Sequence, residues 1–409
     1  MEKKISRFFK LYPWYYGFNG DLLFYIAIDT LFLTLVKNFS AAQIVSLSSI
    51  SQFICIALQF PLLFIIKRIG NTASARVGST CLLLSAVFIT VCKNYYLVLL
   101  GRVFHDVAGI FFNASVVTLE NNLELANRRE DFVKIRTNGN TVYAVVTLLI
   151  SFVASYLFNL NPYVPMVGYI SCCTVGLVLS FFMKDFSAFN RITTKGPKRE
   201  KVKFRYGWLI ILAVVIYALF YPLVNEGQSI GKLYIQQELL ARITQEDTAL
   251  IIGVVVCISR LIRVLSNIVF ARLYRKYKYK VGIALPALLG FALCCQLFGA
   301  MIPYMLLMVI VMAMGYIIIL FARDPFRLYM QDVIFEHTPK EQHQTLLTMM
   351  VFGVKVGTAG MGLAFSGILL SYPMSVVITI MLAITIIEVL LSLKLYSMIR
   401  AARKVQPSG

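Results

Sequence analysis

The sequence consists largely of apolar runs about twenty residues long, and these runs constrain its fold more than any other feature. About twenty apolar residues in a helix match the thickness of the hydrocarbon core of a bilayer. A backbone segment inside a bilayer must satisfy its own hydrogen bonds, so each run is predicted to form a helix. The twelve runs lie near residues 18–37, 44–66, 78–92, 96–118, 138–158, 165–183, 207–224, 248–270, 281–300, 303–322, 345–370 and 374–396. The seventh of these ends at residue 224 or continues to 239.

The composition excludes a soluble protein. Hydrophobic residues make up 59% of the 409 residues and charged residues only 14%, and the mean hydropathy is +0.77. Soluble domains carry about 25% charged residues. The chain is therefore predicted to be an all-α integral membrane protein that crosses the membrane twelve times.

The basic residues predict the orientation of these spans. With twelve spans, thirty-one of the 39 lysines and arginines fall on one side of the membrane, four on the other and four inside spans. Cytoplasmic loops carry an excess of Lys and Arg, so both termini are predicted to be cytoplasmic. The net charge of +20 is distributed over seven short segments. It therefore indicates topology and not a nucleic-acid-binding surface.

The sequence has little of the chemistry that a membrane enzyme would need. The eight cysteines lie in or beside apolar runs and do not have metal-ligand spacing. Two of the three histidines, His337 and His343, lie in a predicted loop. We therefore expect no metal, no cofactor and no enzymatic activity, with a polytopic membrane enzyme as an alternative.

The two halves of the chain have the same plan. Each has a short basic loop after its second span and a longer charged loop after its fourth. The predicted domains are residues 1–184 and 207–409, each a six-helix bundle, joined by a cytoplasmic linker at 185–206. Duplicated bundles of this kind place a binding site between the halves near the middle of the membrane.

The loop after the second span carries part of a known pattern, Gly-x-x-x-Asp-Arg-x-Gly-Arg-Arg. The chain has Arg68 and Gly70 at the matching positions, but Lys67 replaces the acid, and Tyr274 stands at the acid position of the second copy. With its size, spans and central loop, the chain resembles the major facilitator superfamily of secondary transporters. The resemblance implies that helices 1, 4, 7 and 10 line a central cavity. It does not assign a subfamily.

Charged residues inside the first and fourth spans are candidates for proton coupling. A carboxylate at the centre of a span costs at least about 2.5 kcal/mol, so such a residue normally faces a cavity. Asp29, eight residues after Asp21, lies in the first span, and its surroundings resemble the acidic helix-1 motif of drug/proton antiporters. The fourth span carries Arg102, His105 and Asp106 on one helical face. The set fits either a proton relay or a structural ion pair.

Basic and polar residues in the second half are candidates for substrate binding. Arg260 and Arg263 lie three residues apart in the eighth span, and Lys355 lies in the eleventh. They fit either an anionic substrate group or a structural pairing with protein acids. The seventh run contains Asn225, Glu226 and Gln228 after a proline. These face the cavity if the helix continues to 239 and belong to a loop if it ends at 224.

These features predict a secondary active transporter that moves a small polar solute by alternating access. The solute is anionic if the basic residues bind it, and its movement is coupled to protons if the charged residues of the first half form a relay. The alternatives are a lipid or lipid-linked-sugar flippase of the same fold, a membrane enzyme and a non-transporting sensor. The predicted location is a bacterial plasma membrane, with lipids, a small-molecule substrate and protons as partners. We expect a monomer that does not bind nucleic acid.

Overall fold

A computed structural model describes residues 2–19, 23–128, 131–187, 207–338 and 340–405, and these residues are almost entirely helical. The described residues of the twelve predicted runs are mostly helical, and those of the first run are divided among α1, α2 and a π-helical turn. A π-helical turn, Phe32–Val36, extends α2, and a 3-10 turn, Lys278–Lys280, follows α9. The helices are α1 (Glu2–Asn19), α2 (Leu23–Leu31), α3 (Ala41–Ile69), α4 (Asn71–Val91), α5 (Tyr95–Leu125), α6 (Asp131–Leu160), α7 (Val164–Ser180), α8 (Trp208–Leu240), α9 (Gln245–Tyr277), α10 (Val281–Gly299), α11 (Met305–His337), α12 (Lys340–Leu369) and α13 (Met374–Val405).

Ten segments of the described chain are long and apolar enough to cross a membrane. The first runs from Lys3 to Val36, so the first span begins further towards the N-terminus than residue 18. Helix α7, with 17 residues, is a shorter apolar helix. Helix α9 covers the eighth predicted run, in which it carries Arg260 and Arg263. The chain is thus a multi-pass membrane protein, and the count of twelve spans stays a prediction.

The chain folds into two compact units. The first unit comprises Met1–Asn38 and Ile50–Lys201, and the second comprises Phe39–Ser49 and Val202–Gly409. The first part of α3 therefore belongs to the second unit. Residues 188–206, most of the predicted linker, lie outside the described residues.

The first unit is built around the N-terminal helix. Phe8, Tyr12 and Tyr15 of α1 are fully buried and pack against α4, α5 and α6. Gly17 lets α1 approach α6 closely, because a Cβ there would lie 2.7 Å from Val142 Cγ1. The first helix is thus part of the folded unit and not a free arm.

The second unit is built around α8, which packs against α11, α12 and α13. Phe220 of α8 stacks on Phe326 of α11 with ring centroids 3.8 Å apart. Helix α12 approaches α8 through Gly357, where a Cβ would lie 2.7 Å from the Ala218 carbonyl oxygen. Small residues at helix contacts of this kind are common in membrane proteins because they let backbones come close.

Each unit has a basic side chain that caps a helix. Lys37, which follows the π-helical turn, donates from Nζ to the Thr90 carbonyl at the end of α4, at 2.7 Å. Arg242, two residues after the end of α8, donates to the Ala300, Ile302 and Pro303 carbonyls beyond α10, at 3.4, 3.0 and 3.3 Å. Cations stabilise helix C-termini, where carbonyl groups lack helical partners.

On the predicted cytoplasmic side of the first unit, Asp185 joins three segments. Its carboxylate accepts hydrogen bonds from Asn71 at the start of α4 and Asn121 near the end of α5, both at 2.9 Å. Its backbone N–H donates to Thr72 Oγ1 at 2.9 Å. Burial raises the pKa of Asp185, but the hydrogen bonds donated to the carboxylate outweigh this effect, so the pKa lies below its ordinary value.

The second unit joins its corresponding segments with tyrosines. Tyr274 donates to the Asp332 carboxylate of α11, and Tyr279 donates to Glu336 one turn further on. Tyr274 is the residue that replaces the expected loop acid. In both units, neutral donors near the loop therefore bind acids that come from elsewhere in the chain.

Candidate functional site

The first unit brings together four charged or titratable residues predicted from the sequence. The Arg102 guanidinium lies within Coulombic range of the Asp106 and Asp29 carboxylates and of the Tyr25 and Tyr169 hydroxyl groups. Helix periodicity explains part of this, because Asp106 follows Arg102 by one turn of α5. Asp29 comes from α2. The four predicted residues, including His105, thus form one cluster that joins two helices.

Asp106 is the most hydrogen-bonded member of the cluster. Ser51 Oγ of α3 donates to Asp106 Oδ2 at 2.6 Å. His105 Nδ1 lies 3.2 Å from Asp106 Oδ1, and Cys55 Sγ contacts the Asp106 backbone carbonyl at 3.6 Å. The side chains of His105 and Asp106 keep 20% and 16% of their surface exposed. The carboxylate is thus held by fixed donors while it remains within reach of water.

Asp29 of α2 is the second acid of the cluster. Its Oδ1 accepts a hydrogen bond from the Thr30 backbone N–H at 2.7 Å, and the side chain is half-buried. Tyr25, one turn earlier, stacks on Tyr169 of α7 with ring centroids 5.9 Å apart. Asp21, the other acid of this span, lies outside the described residues.

The cluster can exchange protons and change its internal attraction. An acid beside a guanidinium favours its charged form, and protonation of the acid removes that attraction. Because the acids lie on α2 and α5 and one fixed donor lies on α3, protonation alters forces between three helices. This arrangement fits a proton relay, and it also fits a structural ion pair.

In the second unit, the seventh predicted run is a continuous helix. Helix α8 extends to Leu240, so Asn225, Glu226 and Gln228 lie near its middle and not in a loop. Asn225 Nδ2 lies 3.4 Å from Thr358 Oγ1 of α12. Glu226 is 3% exposed, and a Cβ on Gly362 of α12 would lie 3.0 Å from its Oε1. Gln228 Nε2 is buried and has no hydrogen-bond partner among the described residues.

The predicted basic residues of the second unit lie on two helices. Arg260 of α9 is half-buried, and its Nε finds no hydrogen-bond partner within the described part of the chain. Arg263 also lies in α9, but its side chain is outside the described residues. Lys355 is half-buried on α12, one turn before Thr358. Arg260 and Lys355 thus lie on different helices of the second unit.

One basic residue lies elsewhere than the sequence predicted. Arg323, expected in a loop, lies within α11, where its guanidinium is 5.9 Å from the centroid of the Tyr221 ring. This error comes from ending the predicted helix where the apolar run ends, although α11 continues through polar residues. Lys232, placed beyond the shorter seventh run, lies within α8 and is 6% exposed.

Other features of the site had weaker sequence signals. Ser51 was missed because a serine in an apolar run is usually a small buried residue, and only the fold places it beside Asp106. Among the residues described, no group of three or more His, Cys, Asp or Glu side chains could hold a metal ion.

No protein-family model matches the sequence, and no curated protein matches it. Solved structures do match the fold. A mutant of the nucleoside transporter NupG has a TM-score of 0.74 at 9% identity, with 96% of this chain and 100% of that chain covered. A bacterial homologue of the iron transporter ferroportin, in an inward-facing state, has a TM-score of 0.66 at 12% identity, with 97% and 99% covered.

A mutant of the peptide transporter POT has a TM-score of 0.64 at 11% identity, with 98% of this chain and 94% of that chain covered. These neighbours are all transporters and not enzymes. At such low identities the likeness concerns the fold alone, and it does not assign a subfamily. The chain has the fold of the major facilitator transporters, as its sequence predicted.

Proposed function

We propose that the protein is a secondary active transporter that moves a small polar, anionic solute across the membrane by alternating access and couples this movement to protons. The cluster of Arg102, Asp106, Asp29 and His105 in the first unit is the observation that carries the proposal. Ionisable residues within membrane spans are costly and mark ion or proton pathways.

The coupling follows from the chemistry of the cluster. With both acids charged, Arg102 is attracted to α2 as well as to Asp106 on its own helix. Proton binding to either acid removes one attraction and changes the relative free energies of the two access states. A solute that binds one access state better than the other is then linked to the proton.

The second unit supports an anionic solute. Arg260 and Lys355 are cationic and half-buried, and the middle of α8 offers the amides of Asn225 and Gln228 together with the carboxyl of Glu226. Guanidinium groups at membrane depth need a counter-charge, and a bound carboxylate or phosphate would supply one. Arg263 belongs to the same proposed set. We place this transporter in a bacterial plasma membrane and propose that it works as a monomer.

The proposal can be tested with purified protein in proteoliposomes. A thermal-shift screen that includes nucleosides, peptides and organic anions first identifies a solute, because the structural neighbours include transporters of nucleosides and peptides. The wild type should then accumulate this solute against its gradient when a pH gradient is imposed. Asp29→Asn should retain solute exchange but lose this accumulation, because it removes a titratable charge and leaves the cavity intact.

A matched control is Asp131→Asn, which removes an acid that pairs with Arg128 on the surface of the same unit. This variant should accumulate solute like the wild type. Undiminished pH-driven accumulation by Asp29→Asn would show that Asp29 does not couple protons. A solute that is chemically altered and not carried would instead indicate an enzyme.

A further inference from the structure

One face of α8 carries a line of polar and aromatic side chains. Tyr217, Tyr221, Asn225 and Gln228 follow at helical spacing and therefore lie on the same side of the helix. The two tyrosines are 5% and 7% exposed, with ring centroids 4.8 Å apart. From Tyr221 to Gln228 the helix rises about 10 Å, which is the length of a small organic molecule.

Helix α11 adds two arginines to this face. The Arg323 guanidinium lies over the Tyr221 ring at 5.9 Å from its centroid, and the charges of Arg323 and Arg327 both act on the Tyr217 hydroxyl. Arg327 is 48% exposed and lies 3.6 Å from the buried carboxylate of Asp324. Arg323 is half-buried, so its charge acts where less water screens it.

The face of an aromatic ring attracts a cation within about 6 Å of its centroid, and the N–H groups of a guanidinium match the geometry of a carboxylate or phosphate. At the other end of the line, the buried Nε2 of Gln228 has no hydrogen-bond partner among the described residues. Buried polar groups are normally hydrogen-bonded. A ligand that reaches Gln228 would satisfy this group.

We propose that this face of α8, with Arg323 of α11, binds an organic anion. Arg323 holds the carboxylate or phosphate group, Tyr221 orients the guanidinium, and Gln228 bonds a polar group at the other end of the molecule. Arg327, at the exposed end, attracts the anion as it approaches. The proposal rests on the transport function proposed above and adds an anchor on α11 to the basic residues of α9 and α12.

The test measures binding to the purified full-length protein and needs no gradient, so its failure is distinguishable from a failure of transport. The melting temperature is followed against succinate, glycerol 3-phosphate and uncharged glycerol, with sodium chloride added to equalise ionic strength. At least one anion should raise the melting temperature saturably, and glycerol should not. The anion that does so shows whether a carboxylate or a phosphate is preferred.

Arg323→Gln should weaken the binding of that anion at least tenfold. Arg323→Lys should weaken it less, because the charge remains but the planar fork is lost. Tyr221→Leu should weaken it several-fold. Arg242→Gln is the matched control: it removes an arginine of the same unit that caps a helix end, and it should leave anion affinity unchanged. Equal affinity of Arg323→Gln and the wild type, or no shift by either anion beyond sodium chloride, overturns the proposal.

Discussion

The charged residues of the two units are arranged differently. The first unit gathers Arg102, Asp106, Asp29 and His105 in one cluster. The second spreads its cations over α9, α11 and α12, with Arg323 beside Tyr221 of α8, and it also buries the acids Glu226 and Asp324. A cluster of both signs is suited to exchanging protons, and a surface of cations and amides is suited to holding an anion. In the function proposed above, proton chemistry therefore belongs to the first unit and solute binding to the second.

At the ends of their helices, the two units make similar contacts with different residues. Lys37 and Arg242 perform the same capping task at matching positions, one with a single bond and the other with three. At the predicted cytoplasmic side, Asp185 is held by asparagines, whereas Tyr274 holds Asp332.

The close approach of α12 to α8 should produce the largest stability effect. Gly357→Ala would place a Cβ 2.6 Å from Pro222 Cγ and 2.7 Å from the Ala218 oxygen, and overpacking of this kind costs about 1–3 kcal/mol. Gly360→Ala is the control on the same helix, because nothing lies within 4 Å of its Cβ position. Thermal unfolding in detergent should show a lower melting temperature for Gly357→Ala only.

The first unit offers the same test on α5. Gly101→Ala would place a Cβ 2.9 Å from Phe88 Cβ, whereas Gly109→Ala meets nothing within 4 Å. Equal melting temperatures within each pair would show that these helix contacts yield easily and do not set the packing of either unit.

The contacts that Asp185 and Tyr274 make at the predicted cytoplasmic side should differ in strength and in pH dependence. Asp185→Asn should lower the free energy of unfolding by about 2 kcal/mol, because hydrogen bonds to a charged acceptor are lost. Tyr274→Phe should cost less, about 0.5–1 kcal/mol, because one hydroxyl bond is lost. Denaturation of both variants and the wild type at neutral pH measures this difference.

The pKa of Asp185 in the folded protein lies below its ordinary value. Its contribution to stability is therefore present above that ordinary value and is lost as the pH falls through the lower folded pKa. The melting temperature of the wild type should approach that of Asp185→Asn in this acid range. A difference between the two that stays constant through the acid range would contradict the assignment.

The two capping side chains, Lys37 and Arg242, should contribute unequally to the free energy of unfolding. Arg242→Met removes hydrogen bonds to three carbonyls and should cost about 1 kcal/mol. Lys37→Met should cost less, because burying the ammonium group, 6% exposed, already offsets much of its single bond. Melting temperatures of the two variants decide this, and a larger loss for Lys37→Met would show that its charge, not only its bond, stabilises the first unit.

The smallest stability effect is expected at Arg260. Its Nε has no hydrogen-bond partner in the described part of the chain, so Arg260→Ala should leave the ligand-free melting temperature unchanged or higher. Solute affinity should fall. A strongly lowered ligand-free melting temperature would instead make Arg260 part of a structural ion pair, whose loss typically costs about 3–5 kcal/mol.

Much of the fold could be predicted because spanning length and apolarity act locally. The described residues of the apolar runs are mostly helical, and Arg102, His105 and Asp106 lie in one helix, α5, at the spacing that predicts a shared face. Helix ends could not be predicted in the same way. Helices α8 and α11 continue past the last apolar residues because packing within the unit buries Lys232 and Asp324.

For the candidate site, the sequence could predict only contacts along a single helix. Contacts along one helix follow from spacing, but Ser51 meets Asp106, and Arg323 meets Tyr221, only through the packing of different helices. Serine and a loop arginine carry no signal of such a role in one sequence. Asp185, which binds the start of α4, lies over a hundred positions away in the chain from its partner Asn71.

The division of tasks between the units can be tested most directly by comparing Asp106→Asn with Arg323→Gln in proteoliposomes. Counterflow exchange and pH-driven accumulation of the same solute are measured for each variant. Asp106→Asn should retain exchange and lose accumulation, whereas Arg323→Gln should lose both at low solute and recover both at high solute. The opposite result for Asp106→Asn would contradict the account. If this variant lost exchange only at low solute and kept pH-driven accumulation at high solute, solute binding would belong to the first unit.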